Sequence, residues 1–266
     1  MNNFKNKIIW ITGSSSGIGE ATAYVLAKEG AKLILTALEA ELLENVKTTA
    51  LQLGAAAVEI LPFDLSCLDK LNDLAHNALA KFGRIDILYN NAGISQRGNT
   101  IDTSMEVIRK IMDINYFAPV ILTKALLPKM VAQGGGQLVV TTSIAGRFGF
   151  PLRCAYSSSK HALYGFFETV QAEYFNQNIR VTVVCPGRVQ TNISFYALEK
   201  DGSQYGKMDK GQAGGVTAEY AAKKIVNAIR KEKREVLIGK KEILMVYIKR
   251  FFPNLAAKIV RKIENV

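Results

Sequence analysis

The chain has 266 residues, 48% hydrophobic and 21% charged, with 34 Lys and Arg against 23 Asp and Glu. That length and apolar content exclude a disordered chain and suffice for one large α/β core, and 21 Gly and 6 Pro without a period exclude collagen-like or low-complexity designs. The net charge of +11 is unevenly placed: residues 223–266 hold 13 Lys and Arg against 4 Glu, so the basic excess belongs to a short tail, and no specific nucleic-acid binding is expected.

Short β-rich runs alternate with helical stretches. Ile8–Thr12 reads as a strand, Gly17–Glu29 as a helix, Lys32–Thr36 as a strand and Glu39–Gln52 as a helix. Val58–Leu61 follows as a strand, Leu68–Phe82 as a helix and Ile85–Tyr89 as a strand. Two long helical regions, Ser104–Ala132 and Ala155–Gln177, flank the strand Gln137–Thr142; then come the strand Arg180–Val184, the helix Thr217–Lys231 and the strand Glu235–Ile238. Strands such as Val181-Thr182-Val183-Val184 are apolar on both faces, as in a parallel sheet covered by helices on each side. The expectation is a single α/β domain over residues 1–240, a doubly wound parallel sheet of Rossmann type, followed by a basic amphipathic helical extension over 241–266.

No secretory signal is read. The apolar run after Lys5 and Lys7 stops at Gly13, and the longest apolar stretch, Ile243–Ile263, is broken by Lys249, Arg250, Lys258, Arg261 and Lys262. Cys67, Cys154 and Cys185 are too few and too scattered for a disulfide framework and suit a reducing compartment. The expected location is the cytoplasm. His76 and His161 have no partner at metal-ligand spacing, so no metal is expected.

Three features carry chemistry. Gly13-Ser14-Ser15-Ser16-Gly17-Ile18-Gly19 follows the first strand and opens a helix, the context in which backbone N–H groups cradle a pyrophosphate; a plain strand-to-helix turn is the alternative. Tyr156 and Lys160 lie four apart on one helical face, where an ammonium would stabilise a phenolate base, although this spacing alone is most often structural. Ser143 sits at the carboxyl end of a strand, where ligands of open α/β sheets bind.

Together with Asp64-Leu65, Asn90-Asn91-Ala92-Gly93, Asn115, Tyr156-Ser157-Ser158-Ser159-Lys160 and Pro186-Gly187, these pieces resemble the short-chain dehydrogenase/reductase family, in its hydroxysteroid-dehydrogenase-like branch, over about residues 5–240. The resemblance implies a nicotinamide-dependent oxidoreductase acting on an alcohol or ketone. Tyr156 would be the acid/base, Lys160 would lower its pKa and hold the nicotinamide ribose, Ser143 would bind the substrate oxygen, and Asn115 would position a water in the proton relay. Gly13, Ser14, Ser15, Ser16, Gly17, Ile18 and Gly19 would hold the phosphates, Asp64 and Leu65 the adenine, Asn91 and Gly93 the groove, and Val189 and Thr191 the carboxamide. The second strand ends Thr36-Ala37-Leu38-Glu39, with no arginine for a 2′-phosphate and no acid at Ala37 to repel one, which tilts the expectation slightly to NADP over NAD. A homodimer or homotetramer is expected from the family.

Residues 192–215, Gly-rich and without apolar period, read as a substrate lid, with a surface insertion as the alternative. Ile94, Ala145, Phe148, Phe150, Pro151, Val189, Phe195 and Tyr196 border these positions and suggest a hydrophobic substrate, though packing would also account for them; Cys154 reads as a small buried hydrophobe. In the tail, Ile243, Leu244, Tyr247, Ile248, Phe251 and Phe252, then Leu255, Ile259 and Ile263, recur at helical spacing among basic residues. Two uses fit: packing on the chain's own domain or a partner's, which is favoured, or peripheral contact with the inner face of a membrane. The second would make a membrane-associated reductase of lipid-like or steroid-like ketones. A cofactor-binding scaffold with a recruiting tail is a further alternative.

Overall fold

The computed structural model describes residues 4–263. Seven strands, β1 (Ile8–Thr12), β2 (Lys32–Thr36), β3 (Ala57–Ile60), β4 (Ile87–Asn90), β5 (Gly136–Thr141), β6 (Ile179–Pro186) and β7 (Glu235–Ile238), form one sheet in the order β3-β2-β1-β4-β5-β6-β7. Every pairing is parallel, as connections through helices require. The helices are α1 (Gly17–Ala27), α2 (Ala40–Gln52), α3 (Leu71–Phe82), α4 (Met105–Met112), α5 (Ala118–Ala132), α6 (Cys154–Tyr174), α7 (Lys210–Ala213), α8 (Ala218–Arg230), α9 (Leu244–Phe251) and α10 (Pro253–Val260).

Alternation along β1 shows how the layers form. Ile9 and Ile11 face a core completed by Leu26 of α1, Leu43 of α2 and Ile225 of α8. Ile8 and Trp10 face the other way, onto Leu74 of α3, Leu122 of α5 and Phe167 of α6. All five residues of β1 are buried, so the sheet is apolar on both sides, and this is the doubly wound single domain the sequence predicts. The strand order reverses between β1 and β4, which leaves a crevice outside their carboxyl ends for a ligand.

Four departures from the predicted elements bear on function. The predicted helix Ser104–Ala132 is divided by a π-turn at Asp113–Phe117. Pro119 has no N–H for the Asn115 carbonyl four residues back, and the Ala118 N–H reaches five residues back to Asp113 O instead. β6 runs longer than predicted, to Pro186, and so carries its end to the crevice. Residues 192–215 are tied down: Arg97 N donates to Leu198 O at 2.7 Å and Leu198 N to Ser95 O at 2.9 Å. The apolar run of the tail splits into α9 and α10, because Pro253 starts a new helix. Ile243, Met245, Val246 and Val260 pack on Ile144, Phe148 and Cys185 of the main domain, whereas Leu244, Tyr247, Phe251, Phe252 and Leu255 stay exposed. No helix among the described residues is long and apolar enough to cross a membrane.

Candidate active site and cofactor groove

The turn after β1 is built by backbone constraints. Gly13 has φ +65°, and a Cβ there would lie 2.7 Å from Ala92 Cα; at Gly19 a Cβ would lie 2.1 Å from Gly13 O and 2.7 Å from Asn91 Nδ2. Glycine at these points lets α1 start close against the strand ends. Asn91 then fastens β4 to β1: its Nδ2 donates to Thr12 O at 3.2 Å and Gly13 O at 3.1 Å, and its Oδ1 accepts from Thr141 Oγ1 at 3.2 Å. A groove of about 260 Å³ runs from Ser15, Ser16 and Gly17 past Gly93 to Lys160 and Tyr156. A Cβ on Gly93 would sit 3.2 Å from Lys160 Nζ, so the groove is open there only because the residue is glycine.

Not every predicted position lines it. The Ser14 hydroxyl is buried and donates to Thr36 O at 3.3 Å, so this side chain serves the sheet. Asp64 is exposed and accepts from Ser66 N, and Leu65 is packed in the core; neither is among the residues bordering this groove. Thr191 borders it, while Val189 lies in the adjoining cavity.

Tyr156 is the third residue of α6, where backbone N–H groups have no helical acceptor. Its N–H donates to Gln96 Oε1 at 3.1 Å, and the wholly buried Gln96 also donates through Nε2 to Cys154 Sγ at 3.1 Å. A residue sixty positions upstream therefore fixes the start of the helix that carries the tyrosine. Ser143 lies just past β5, 8% exposed, with Oγ accepting from Ala145 N at 3.1 Å, and it borders the same cavity as Tyr156. Lys160 is 2% exposed, and its Nζ donates to Thr141 O at 2.8 Å and stands 5.8 Å from the Tyr156 ring centroid. Behind it, Asn115 is held by the π-turn: its Oδ1 accepts from Ile94 N at 2.9 Å, and its Nδ2 donates to Ile94 O at 2.9 Å and Ser159 Oγ at 3.1 Å. The structure thus brings Asn115, Ser143, Tyr156 and Lys160 together at the carboxyl ends of β4 and β5.

Burial sets the electrostatics. It raises the Tyr156 pKa above the ordinary phenol value, opposed by the nearby Ser143 hydroxyl and by the Arg153 and Arg97 guanidiniums. It lowers that of Lys160 to about 7. Lys160 is therefore poised to change protonation near neutral pH when a charged partner arrives, while Tyr156 holds its proton.

A second cavity, about 140 Å³, adjoins the groove and shares Ile18, Thr141, Tyr156, Thr191 and Ile193 with it. Ala145, Phe150 and Val189 give it an apolar wall. Of the other apolar candidates, Ile94 and Tyr196 border the groove and Phe148 is core. Gln212 of the 192–215 segment closes over this junction: its Nε2 donates to Thr191 Oγ1 at 3.2 Å and also to Val189 O. Sequence reading missed Gln96, Gln212 and a charged group, Arg97, Arg153 and Asp209. Arg97 Nη2 and Arg153 Nη2 both donate to Asp209 Oδ2, at 2.5 and 2.9 Å. These residues come from three distant parts of the chain, so no local motif announces them.

A glycine turn, a Tyr–Lys pair on one helix, a serine beside the tyrosine and an asparagine in a π-turn now stand around one crevice. The model of the short chain dehydrogenase family matches residues 7–201. The chain is a member of the short-chain dehydrogenase/reductase family. It is 38% identical over 272 residues to the dehydrogenase/reductase SDR family protein 7-like of Drosophila melanogaster, covering 99% of this chain and 83% of that one. With the dehydrogenase/reductase SDR family member 7B of Xenopus laevis it shares 41% identity over 261 residues, covering 95% and 80%. Among solved structures, a short-chain dehydrogenase/reductase from Burkholderia phymatum in complex with NAD matches with a TM-score of 0.84 at 24% identity, covering 96% of each chain. An alcohol dehydrogenase from Thermococcus sibiricus complexed with 5-hydroxy-NADP matches at 0.76 and 27% identity, covering 89% of this chain and 97% of that one. The protein is therefore an oxidoreductase of this family with a nicotinamide-cofactor fold.

Proposed function

We propose that the protein interconverts an alcohol and a ketone or aldehyde with NADP or NAD, Tyr156 serving as the acid/base. The observation that carries this reading is the meeting of groove and cavity at Tyr156, with Ser143 lining the same cavity. A bound nicotinamide would supply or accept the hydride. The glycine turn from Gly13 to Gly19 would hold its phosphates, and Lys160, beside the open face of Gly93, would hold its ribose. Asp64 and Leu65 would meet the adenine, Asn91 and Gly93 would line its path, and Val189 and Thr191 would hold the carboxamide. Residues 192–215 would act as the lid through Gln212.

Chemically, a carbonyl reduced to an alkoxide needs a proton at once. The Tyr156 hydroxyl would donate it, with Ser143 steering the substrate oxygen, and the proton would return by way of Lys160. The Asn115 carbonyl, relieved of a helical partner by Pro119, supports a water in that relay. The apolar wall of Ala145, Phe150 and Val189 favours a hydrophobic substrate body. For the cofactor, buried Ala37 and the absence of an acid at that strand end favour NADP slightly over NAD. Thermal shift with each dinucleotide measures this directly; a larger shift with NAD reverses the preference.

The test is Tyr156→Phe. Assayed against a panel of hydrophobic ketones by cofactor absorbance, it should cut turnover by roughly a hundredfold to ten-thousandfold. Cofactor-induced thermal stabilisation should survive the substitution. Turnover within about tenfold of the parent would remove Tyr156 from the chemistry.

A second reading adds a location. Exposed Leu244, Tyr247, Phe251, Phe252 and Leu255 stand among Lys249, Arg250 and Lys258, and Ile263 at the tail's end borders the substrate cavity. An apolar and basic face of this kind complements an anionic bilayer surface, from which a lipid-like ketone could pass to the cavity. Co-sedimentation with phosphatidylglycerol vesicles should be seen at low salt and be lost in Phe251→Ser/Phe252→Ser. A dimer that the same substitutions dissociate, without vesicle binding, would assign the face to a second copy of the chain.

A further inference from the structure

Around the substrate cavity the apolar wall is interrupted by charge. Arg97 is 6% exposed and Arg153 has a side-chain exposure of 20%; both reach the same oxygen of Asp209, whose own side-chain exposure is 13%. Two guanidiniums thus share one carboxylate in a nearly dry place, and one positive charge is left uncompensated. Arg97 has other acceptors, donating through Nη1 to Ser95 Oγ at 2.9 Å and Gln96 O at 2.6 Å. Arg153 is less well served: its buried Nε has no hydrogen-bond partner among the described residues. A surplus buried cation with an orphaned donor is costly, and a pairing that served only to latch the 192–215 segment would need one arginine. Leu152, just before Arg153, adopts a left-handed φ of +59°, which is uncommon for a residue other than glycine. Ser143, Tyr156, Arg97, Arg153 and Asp209 all border this one cavity.

We propose that the Arg97–Arg153–Asp209 cluster is an anion subsite, and that the substrate is a ketone or alcohol carrying a carboxylate or phosphate group, which takes up the free donors of Arg153 while its oxygen meets Ser143 and Tyr156. This rests on the reading of the cavity as the substrate end of an oxidoreductase. The guanidinium plane gives paired donors for either oxyanion, and the apolar wall holds the carbon chain between. The expectation of a purely hydrophobic substrate becomes one of an amphiphile with its charge inside the protein.

The test uses matched pairs in which only charge differs: levulinate beside methyl levulinate for a carboxylate, and acetol phosphate beside acetol for a phosphate. In the parent enzyme the anion of at least one pair should have kcat/KM higher than its neutral mate by about tenfold or more, and the better pair identifies the group. That ratio should collapse toward unity in Arg153→Gln and be partly kept in Arg153→Lys. Neutral mates that match or beat the anions in the parent overturn the proposal, as does a ratio that Arg153→Gln leaves unchanged; the parent comparison decides even where Arg153→Gln fails to fold. Should no ketone turn over, the alcohol–ketone reading fails separately. The subsite is then judged by thermal shift with levulinate, methyl levulinate and inorganic phosphate. Stabilisation by the anions alone that Arg153→Gln abolishes supports it, and equal or absent shifts in both proteins reject it.

Discussion

The cofactor groove and the substrate cavity meet at Tyr156 but are made of different material. The groove is largely backbone: Gly13, Gly17 and Gly93 matter for what they lack, and a Cβ at any of them would touch a neighbour. The cavity is side chains drawn from distant segments, with Arg97 after β4, Arg153 before α6 and Asp209 beyond β6 held together by two ion pairs. A groove of backbone tolerates no insertion of bulk, whereas a cavity of charged side chains depends on its pairing. That difference makes the two separable by mutation.

The largest effect should come from bulk in the groove. In Gly19→Val a Cβ placed 2.1 Å from Gly13 O cannot fit without moving α1 from the strand ends. We expect thermal stabilisation by both NADP and NAD to vanish, together with all turnover. Persistence of either cofactor's shift would mean that the dinucleotide binds elsewhere and that groove and cavity are not two halves of one site.

A smaller effect should follow in the cavity. Asp209→Asn keeps the shape but leaves Arg97 and Arg153 facing each other without a carboxylate. Removing one partner from so buried a cluster should cost about 2 kcal/mol, or roughly 4–8 °C in Tm. Because Asp209 N also binds Ser194 Oγ and α7 follows directly, the 192–215 segment should loosen as well. Faster tryptic cleavage at Lys207 or Lys210 reads this out; unchanged cleavage would show that the segment is held by the Leu198 backbone bonds alone.

The same contrast explains what could be read in advance. The strands were legible because each is short, apolar on both faces and followed by a helical period, and the glycine turn because backbone geometry restricts its residue types. Asn115, Ser143, Tyr156 and Lys160, named from the family resemblance, lie together at one crevice, and their roles there are the proposal. Ser14, Asp64 and Leu65 show the limit: they occupy motif positions, yet the Ser14 side chain bonds the sheet and that of Leu65 fills the core, so any part these two take in holding a cofactor falls to their backbone. Arg97, Arg153, Asp209 and Gln96 were illegible because their meaning lies only in contacts across 56 to 112 residues of sequence. The tail was half legible: its period is helical, but which face packs depends on Ile144, Phe148 and Cys185, far away in the chain.

The smallest predicted effect lies where the two regions join. Lys160 is buried and its pKa is lowered to about 7, below its ordinary 10.5. Between those values the unfolded chain holds a proton that the folded chain has released, so stability rises with pH across that window. Below about pH 7 the folded protein carries the full penalty of a buried ammonium. Lys160→Met removes the penalty while giving up the bond to Thr141 O. Measured without cofactor, the Tm of the variant minus that of the parent should therefore be most positive near about pH 6 and shrink toward about pH 10. Turnover should be lost throughout. A gap that stays flat with pH would mean that Lys160 titrates as it does in water. A gap that closes as predicted shows the chain holding a destabilising cation where groove meets cavity, a cost that folding does not repay and that a bound anionic cofactor would.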